Sequence, residues 1–464
     1  MDLQNKRVLV FGLGVHGGGL VVAQWLVRQG ARVTVTDLKR AEDLQASLDA
    51  LCSLPIEYVL GEHREQDFRD ADLIVRNPGV PRESRFLQIA REHNIPVEME
   101  MGLFVERLPR GMAQVIGITG TKGKTTTTLM TGEILKRAHP KTVVAGNLRV
   151  SALELLERID AATPVVLELS SWQLEAFPPH QVSPHIAAIT NIFPDHLNRY
   201  RDLDDYADAK AIIFRYQQPE DFIVLNFDNK LITKLPRGFG KVVWTSATRT
   251  LSEGAYRDGN DLVWKWNGAT QKVFDTRDLR VPGMHNIANA LAAIALASLH
   301  GATPEQIADA LREFRGAPHR QEFVREINGV RYINDTTATA PAAAIAAIET
   351  FFPTGIILIA GGADKSLDFT ELARVSASKV KRVILLDGTA TDKLAHALPK
   401  EIVAGRFDDL QRAIARACDI AQSGDIVLLS PACASFGMFA NEFERGEKFK
   451  SLVNSLQSTV DSKQ

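Results

Sequence analysis

The sequence predicts an α/β fold divided among three domains. Short apolar runs that end in glycine or asparagine alternate with stretches of helical spacing through most of the chain, a pattern typical of parallel sheets covered by helices. The 464 residues also exceed what one hydrophobic core usually covers. Proline and glycine interrupt the pattern near residues 110 and 315, so the predicted domains cover residues 1–110, 111–315 and 316–464.

The predicted strands are apolar runs of the kind that parallel sheets bury on both faces. In chain order they are RVLVFG, RVTVTD, DLIVRNPG, QVIGITG, KTVVAGN, PVVLELSS, HIAAITN, DFIVLN, GIILIAGG, RVILLDG and DIVLLSP. Helical spacing that stops at glycine predicts helices in GLVVAQWLVRQG and HNIANALAAIALASLHG. Residues 235 to 280 alternate less clearly and predict a small antiparallel insert.

Composition narrows the class of protein. A net charge of −2 gives no reason to expect a nucleic-acid partner. The three cysteines are widely spaced and lack metal-ligand spacing, which favours a reducing compartment. No run approaches the roughly 18 apolar residues of a membrane span, and the first apolar run is too short for a signal peptide. We expect a cytoplasmic monomer that is not inserted in a membrane and acts on small molecules.

A first glycine motif lies in VLVFGLGVHGGG, where Gly12, Gly14 and Gly17 follow a predicted strand and precede a helix. Asp37 ends the next strand, at the distance expected for a ribose contact in a Rossmann-like unit. Such a turn lets a pyrophosphate approach backbone N–H groups at a helix N-terminus. The motif alone fits a nicotinamide or flavin dehydrogenase, a UDP-sugar site, or a tight turn without a ligand.

A second glycine motif, GTKGKTT, follows the strand QVIGITG and resembles a P-loop. Ile118 stands where the strict nucleotide-triphosphate pattern needs glycine, so that pattern fails. The parts are still present, because Gly120 permits close backbone approach, Lys124 can meet phosphates and Thr125 can hold Mg²⁺. A threonine-rich helix cap explains Thr125 but not the glycines and lysines. Two phosphate-binding units predict ATP in one and a nucleotide-bearing substrate in the other.

Further stretches, in order, are LELSSWQLE, NIFPDHLNRY, GMHNIANALAA, PHRQEFV, YINDTTAT, GGADKSLDF and SPACASFGMFANEFERG. Together with GTKGKTT, they resemble the motifs of the Mur ligase family over essentially the whole chain. The resemblance implies a Rossmann-like N-terminal domain, a P-loop ATPase-like central domain with a mostly parallel sheet, and a Rossmann-like C-terminal domain. It also implies an ATP- and Mg²⁺-dependent amide ligase of peptidoglycan synthesis. Its reaction would add glutamate, with D-glutamate favoured, to UDP-N-acetylmuramoyl-L-alanine through an acyl phosphate.

The resemblance also implies site residues. The catalytic set is Lys124, Glu168, His196 and Lys210. Thr125 and Glu168 would bind Mg²⁺, His196 would bind a second Mg²⁺, and Lys210 would serve the metal site as a carbamate formed with CO₂. ATP would be bound by Gly120, Thr121, Lys122, Gly123, Lys124, Thr125, Thr126, Asn286, Arg320 and Asp335. The UDP-sugar would be bound by Val15, His16, Asp37, Lys39, Asn77, Gly79 and Asn147. The amino acid would be bound by Thr339, Lys365 and Ser435.

Several of these residues have simpler interpretations from local sequence. Glu168 could face solvent at a sheet edge, His196 could be structural, and Lys210 could be a helix-surface lysine. Asn286, Arg320 and Asp335 could be a helix cap, a surface arginine and a turn aspartate.

The sequence also leaves alternative functions open. They are ligation of L-glutamate or another acidic amino acid, another Mur or folylpolyglutamate-type ligase, an NAD-dependent dehydrogenase and a non-catalytic nucleotide-binding regulator.

Overall fold

The computed structural model describes residues 2–14, 18–148, 150–195, 199–236, 238–281, 283–364 and 367–457. Its chain divides into two compact units. The first contains the residues up to Leu279 together with Met284–Phe314, and the second contains the short segment at Arg280 and the residues from Arg315 onward. The first unit holds two sheets and the second holds one.

The first sheet has five parallel strands in the order β3-β2-β1-β4-β5. The strands are β1 Arg7–Phe11, β2 Arg32–Asp37, β3 Ile56–Leu60, β4 Leu73–Arg76 and β5 Val97–Glu98. The helices are α1 Gly18–Arg28, α2 Gln45–Leu51, α3 Glu65–Asp70, α4 Arg85–Glu92 and α5 Glu100–Val105. The carboxyl ends of β1, β2 and β4 therefore meet at one edge, where the first glycine turn lies.

The second sheet has nine strands in the order β14-β13-β12-β11-β10-β9-β6-β8-β7. The strands are β6 Val115–Thr119, β7 Val143–Gly146, β8 Val165–Glu168, β9 Ile186–Ile189, β10 Phe222–Asn226, β11 Lys241–Ser246, β12 Gly254–Asp258, β13 Asp261–Trp266 and β14 Ala269–Asp275. The helices are α6 Lys124–Ala138, α7 Ala152–Leu155, α8 Leu203–Arg215, α9 Met284–Leu299 and α10 Pro304–Glu313. Pairing is parallel from β7 to β12 and antiparallel between β12, β13 and β14.

The third sheet lies in the second unit, with six strands in the order β15-β16-β20-β17-β18-β19. The strands are β15 Glu322–Ile327, β16 Val330–Asn334, β17 Ile356–Gly361, β18 Val380–Leu386, β19 Val403–Phe407 and β20 Ile426–Leu429. The helices are α11 Pro341–Phe351, α12 Thr370–Lys379, α13 Thr391–Ala397, α14 Leu410–Ile420 and α15 Glu442–Ser455. Among the described residues, strands β15 and β16 of this sheet pair antiparallel and the other neighbouring strands pair parallel.

The structure confirms the predicted α/β class with mostly parallel sheets. Every predicted apolar run forms a strand. Five strands outside residues 235 to 280 were not predicted, namely β3, β5, β15, β16 and β19. All but β16 consist mainly of half-buried or exposed residues and lack an apolar run. The antiparallel pairing expected within residues 235 to 280 is present in β12, β13 and β14, and these strands extend the central sheet. The predicted domain bounds remain a prediction.

A continuous apolar core joins the first two sheets. It includes Val10 of β1, Phe104 of α5 and Leu167 of β8, each almost completely buried. Burial of this kind stabilises the fold by roughly 25 cal/mol per Å² of apolar surface. Because residues of α5 belong to this shared core, α5 holds the first sheet's domain against the second. Among the residues that the structure describes, no helix combines the length and apolar character needed to cross a membrane.

Candidate active site

The second glycine motif forms a phosphate-binding type of turn between β6 and α6. Gly120 and Gly123 have φ of 149° and 80°, values that favour glycine. A Cβ at Gly120 would lie 2.0 Å from Thr190 Oγ1, and one at Gly123 would lie 2.3 Å from Asn289 Oδ1. Both glycines are therefore required by backbone shape and by close packing. The turn leaves backbone N–H groups at the start of α6, the arrangement that binds phosphate in other proteins.

Residues at the end of β9 hold this turn in place, and the sequence analysis assigned them no role. Asn191 Oδ1 accepts from the Lys122 backbone N–H at 2.8 Å, and Asn191 Nδ2 donates to the Lys122 carbonyl at 3.0 Å. Thr190 Oγ1 donates to the same carbonyl at 2.6 Å. The only signal available was position, since Asn191 opens the quoted stretch NIFPDHLNRY directly after a strand.

Lys124, at the first position of α6, folds back over the turn. Its Nζ donates to the carbonyls of Gly120 at 3.0 Å and Thr121 at 3.1 Å. The ammonium group thus lies over the loop that would receive the phosphates. Thr125 and Thr126 follow in the first turn of α6 and are half-buried. Lys122 is exposed and forms an ion pair with Asp195 at 3.2 Å.

Lys210 lies beside the same turn, so its interpretation as a surface lysine is wrong. The side chain is 1% exposed, and Nζ donates to the Gly120 carbonyl at 2.9 Å. Nζ also lies 4.5 Å from the centre of the Tyr206 ring. Burial and, to a smaller extent, the positive charge of Lys124 together lower the pKa of Lys210 to about 6, against a smaller opposite effect of Asp195. Near neutral pH the amine is therefore largely uncharged, the form that reacts with CO₂.

Glu168 ends β8, which lies between β6 and β7, so the sheet-edge interpretation is wrong. Its side chain is 1% exposed. Oε1 accepts from Asn147 Nδ2 at 2.9 Å, whereas Oε2 is buried without a hydrogen-bond partner among the described residues. A buried carboxylate oxygen is costly unless a cation or donor satisfies it. The donor chemistry therefore fits a hard cation such as Mg²⁺ at Glu168.

The first glycine turn is organised by Asp37. Its Oδ2 accepts from the backbone N–H groups of Leu13 at 2.9 Å and Gly14 at 3.0 Å. Its Oδ1 accepts from the backbone N–H of Lys39 at 2.9 Å. A second turn follows β4, where Asn77 Oδ1 accepts from the exposed Gly79 N–H at 2.9 Å. The two turns lie at the same edge of the first sheet, because β1 pairs with both β2 and β4.

Asn286 lies next to Asn289, whose side chain packs against Gly123 of the phosphate loop, and four further site predictions lie outside the described residues. Asn286 is in the first turn of α9, where its Oδ1 accepts from Asn289 at 3.2 Å. Four predicted site residues fall outside the described residues, namely Val15, His16, His196 and Lys365.

In the second unit, Asp335 follows β16 and is 4% exposed. It accepts from Ser430 Oγ at 2.7 Å and from the Gln321 N–H at 3.1 Å. Burial raises the pKa of Asp335 to about 7, although both hydrogen bonds oppose the change. Arg320 is exposed and Thr339 is half-buried. Ser435 is buried, and its Oγ has no hydrogen-bond partner among the described residues.

Replacing Asp335 by Asn is expected to stabilise the protein by about 1–2 kcal/mol at pH 8. The folded protein keeps the carboxyl proton up to about pH 7, whereas the unfolded chain loses it near the ordinary value of 3.8. Wild-type stability therefore falls as pH rises between these values, and Asn removes that cost while keeping bonds to Ser430 and Gln321. Thermal unfolding at pH 5 and pH 8 measures the difference. The exposed control Asp419→Asn should leave the pH dependence unchanged, and equal behaviour of both variants would contradict the prediction.

Comparison with known proteins agrees with this architecture. Three family models match the chain: the Mur ligase MurD-like N-terminal domain over residues 6–98, the Mur ligase middle domain over 118–297, and the Mur ligase glutamate ligase domain over 319–433. A Thermotoga maritima structure of UDP-N-acetylmuramate-alanine ligase MurC shares 22% identity at a TM-score of 0.60, covering 97% of this chain and 100% of that one. An Acinetobacter baumannii MurF structure shares 17% identity at a TM-score of 0.58, covering 96% and 93%.

Curated relatives extend the likeness over the full length. A protein of Roseiflexus sp. (strain RS-1) named UDP-N-acetylmuramoylalanine–D-glutamate ligase is 52% identical, covering 98% of this chain and 100% of its own. Proteins of the same name from Geotalea uraniireducens (strain Rf4) and Clostridioides difficile (strain 630) are 41% and 39% identical, each over 98% of this chain and at least 99% of its own. With its three domain models in order and full-length relatives, this chain belongs to the Mur ligase family.

Proposed function

We propose that this chain is an ATP-dependent ligase that joins the amine of D-glutamate to the carboxylate of UDP-N-acetylmuramoyl-L-alanine, with an acyl phosphate as intermediate. The reaction would be a step of peptidoglycan precursor synthesis, and its use of ATP supports a cytoplasmic location. The observation that carries the proposal is 52% identity over nearly the whole chain to a relative with that name. A dehydrogenase has less support, because the full-length relatives described above are named as ligases.

The first chemical step must bring two anions together. The substrate carboxylate attacks the γ-phosphorus of ATP, a C–O–P bond forms, and ADP leaves with the electron pair of the broken bond. Lys124 lies over the phosphate loop, and its ammonium offsets the negative charge that accumulates there. Thr125, Glu168, His196 and the carbamate of Lys210 would hold Mg²⁺, His196 at a second ion, and the metal would supply further positive charge against the repulsion of the two anions.

In the second step the glutamate amine attacks the acyl carbon and phosphate leaves through a tetrahedral intermediate. The enzyme must first align the substrate carboxylate with the γ-phosphate and then align the glutamate amine with the acyl phosphate. Most of the catalysis is therefore positioning of the reacting groups and electrostatic stabilisation. For ATP we propose the loop from Gly120 to Thr126 together with Asn286, Arg320 and Asp335. For the amino acid we propose Thr339, Lys365 and Ser435.

For the UDP-sugar we propose Val15, His16, Asp37, Lys39, Asn77, Gly79 and Asn147. Asn147 has the strongest geometric support, because its side chain donates to Glu168 and so joins the sugar-nucleotide set to the metal set. Its backbone N–H also donates to the Glu168 carbonyl at 2.9 Å. A substrate carboxylate near Asn147 would therefore lie close to the cation that Glu168 binds.

Phosphate release tests this function. Purified protein is incubated with ATP, Mg²⁺ and UDP-N-acetylmuramoyl-L-alanine, and each of D-glutamate, L-glutamate, D-aspartate and L-alanine is added in turn. We expect turnover with D-glutamate at least about 100-fold faster than with L-glutamate, because the opposite enantiomer directs its carboxylates away from the groups that pair with them.

The outcomes separate the alternatives. Faster turnover with L-glutamate would reassign the acceptor within the same reaction, and turnover only with a folate substrate would reassign the ligase class. ATP binding without phosphate release for any pair would favour a regulator. A change in NADH fluorescence on titration, with no phosphate released, would favour the dehydrogenase.

A further inference from the structure

Three charged side chains form a buried ion network where the first and second sheets' domains meet inside the first unit. Arg76 Nη2 donates to Glu175 Oε2 at 2.6 Å, and Arg199 Nη2 donates to Glu175 Oε1 at 3.4 Å. Their side chains are 6%, 11% and 18% exposed for Arg76, Glu175 and Arg199. Such burial distinguishes this triad from the surface ion pairs of the chain, which contribute little to the stability of the fold.

Each member of the triad belongs to a different segment that contains or follows a proposed site residue. Arg76 ends β4, and its Nη1 donates to the Val80 carbonyl at 2.9 Å, across the turn that contains Asn77 and Gly79. Glu175 lies in the one-turn helix Gln173–Ala176, in the segment that follows Glu168 of β8. The guanidinium of Arg76 therefore spans from a turn of the first domain to a loop of the second.

Arg199 adds the third segment. It follows the predicted metal ligand His196 in sequence, and its guanidinium lies 4.6 Å from the centre of the Trp172 ring. Trp172 belongs to the loop between Glu168 and Glu175. Two guanidinium groups share one carboxylate, so the triad carries a net positive charge beside the turn proposed to bind the anionic sugar nucleotide.

We infer that Arg76, Glu175 and Arg199 are positioning residues that hold the Asn77–Gly79 turn in register with the loop after Glu168. This inference rests on the proposed function. A guanidinium is planar and donates to Glu175 and to the Val80 carbonyl at once, which a lysine could not reproduce with the same geometry. The sugar nucleotide bound at the turn is thereby aligned with the metal-binding end of β8. Misalignment of reacting groups by about 1 Å can cost about 100-fold in rate.

A purely structural role makes a different prediction from a positioning role. Removing Glu175 alone leaves two buried guanidinium groups uncompensated, which is strongly destabilising, whereas replacing a buried pair by apolar residues of similar volume is often neutral. The double variant Arg76→Met/Glu175→Leu therefore keeps the domain contact but loses the bond to the Val80 carbonyl. Arg199 loses its carboxylate but keeps its place over the Trp172 ring and some contact with water, so the double variant should be less destabilised than a variant that removes Glu175 alone, while its handling of the sugar nucleotide changes.

The experiment measures melting temperature, kcat and KM for each substrate, and calorimetric binding of UDP-N-acetylmuramoyl-L-alanine without ATP. For the double variant we expect a smaller loss of melting temperature than for Glu175→Gln. We also expect kcat to fall, KM and Kd for the sugar nucleotide to rise about tenfold, and KM for ATP to change less than about twofold. Glu175→Gln should lower the melting temperature and weaken sugar-nucleotide binding. Arg76→Lys should keep part of the sugar-nucleotide affinity that Arg76→Met loses.

A matched control is Arg64→Met, which breaks an exposed pair with Glu57 at 3.6 Å in the same domain. It should leave all these quantities unchanged. The inference is overturned if the double variant binds and turns over the sugar nucleotide as wild type does, or if KM for ATP rises equally. Wild-type protein that neither binds this sugar nucleotide nor releases phosphate refutes the proposed function itself, and the inference with it.

Discussion

Lys124→Ala is expected to reduce phosphate release by at least about 10³-fold, while UDP-N-acetylmuramoyl-L-alanine binds as tightly as before. The ammonium lies over the phosphate loop through bonds to the carbonyls of Gly120 and Thr121. Without it, the negative charge shared by the attacking carboxylate and the γ-phosphate loses its adjacent cation. The sugar-nucleotide turns at Asp37 and Asn77 belong to the other sheet of this unit and are unaffected.

The measurements are single-turnover phosphate release at saturating substrates and calorimetry with the sugar nucleotide. Lys136→Ala is the matched control, because Lys136 lies on the same helix and pairs with Glu133 on the exposed surface. It should retain full turnover. Near-normal phosphate release by Lys124→Ala would show that the loop does not act on the transferred phosphate. Loss of sugar-nucleotide binding by the same variant would show that the effect is not local to the ATP site.

The predicted fold depended on a signal that is strong in this sequence. Strands such as β6 and β20 are buried along their whole length and therefore appear as unbroken apolar runs. Strand β3 is largely half-buried and alternates weakly, so periodicity did not reveal it. The hairpin strands β13 and β14 were recognised as antiparallel, but their attachment to the central sheet depends on β11 pairing with β12, a contact that local sequence does not encode.

The site residues also divide into those that local sequence revealed and those that it did not. The phosphate loop was visible because its glycines are demanded by backbone geometry. Glu168 attracted attention as an acid within an apolar strand, and its burial supports that reading. Lys210 gave no local signal, because burial by β6 and Tyr206 is a tertiary effect. Asn191 was unrecognisable for a related reason, since asparagine after a strand is common in any loop.

Family resemblance supplied roles that no local pattern could. Asp37 illustrates the limit of spacing, because its position fits a ribose contact while its carboxylate holds the two turns beside it. The triad of Arg76, Glu175 and Arg199 joins residues that are far apart in sequence, and no periodicity predicts such a contact. Positioning contacts of this kind require the assembled domains.

Lys210→Arg is expected to lower turnover by about 10²–10³-fold although it keeps a long basic side chain. The proposed carbamate forms when the uncharged amine attacks CO₂, a C–N bond forms and the amine proton leaves to solvent. Arginine stays protonated and cannot react. The buried surroundings of Lys210, its bond to the Gly120 carbonyl and its lowered pKa of about 6 favour the uncharged amine near neutral pH.

Two measurements separate the carbamate from a cationic role. In wild-type protein, turnover should fall when CO₂ is removed from the buffer and recover when bicarbonate is added, and isotopically labelled bicarbonate should give a carbamate resonance that Lys210→Arg lacks. The stability of the unmodified enzyme should also rise from pH 6 toward pH 10, since the unfolded chain holds a proton that folded Lys210 has lost. Lys210→Met should remove that slope. Turnover that ignores CO₂ and survives Lys210→Arg would leave Lys210 as a buried support of the phosphate loop, acting through its bond to Gly120 and not at the metal.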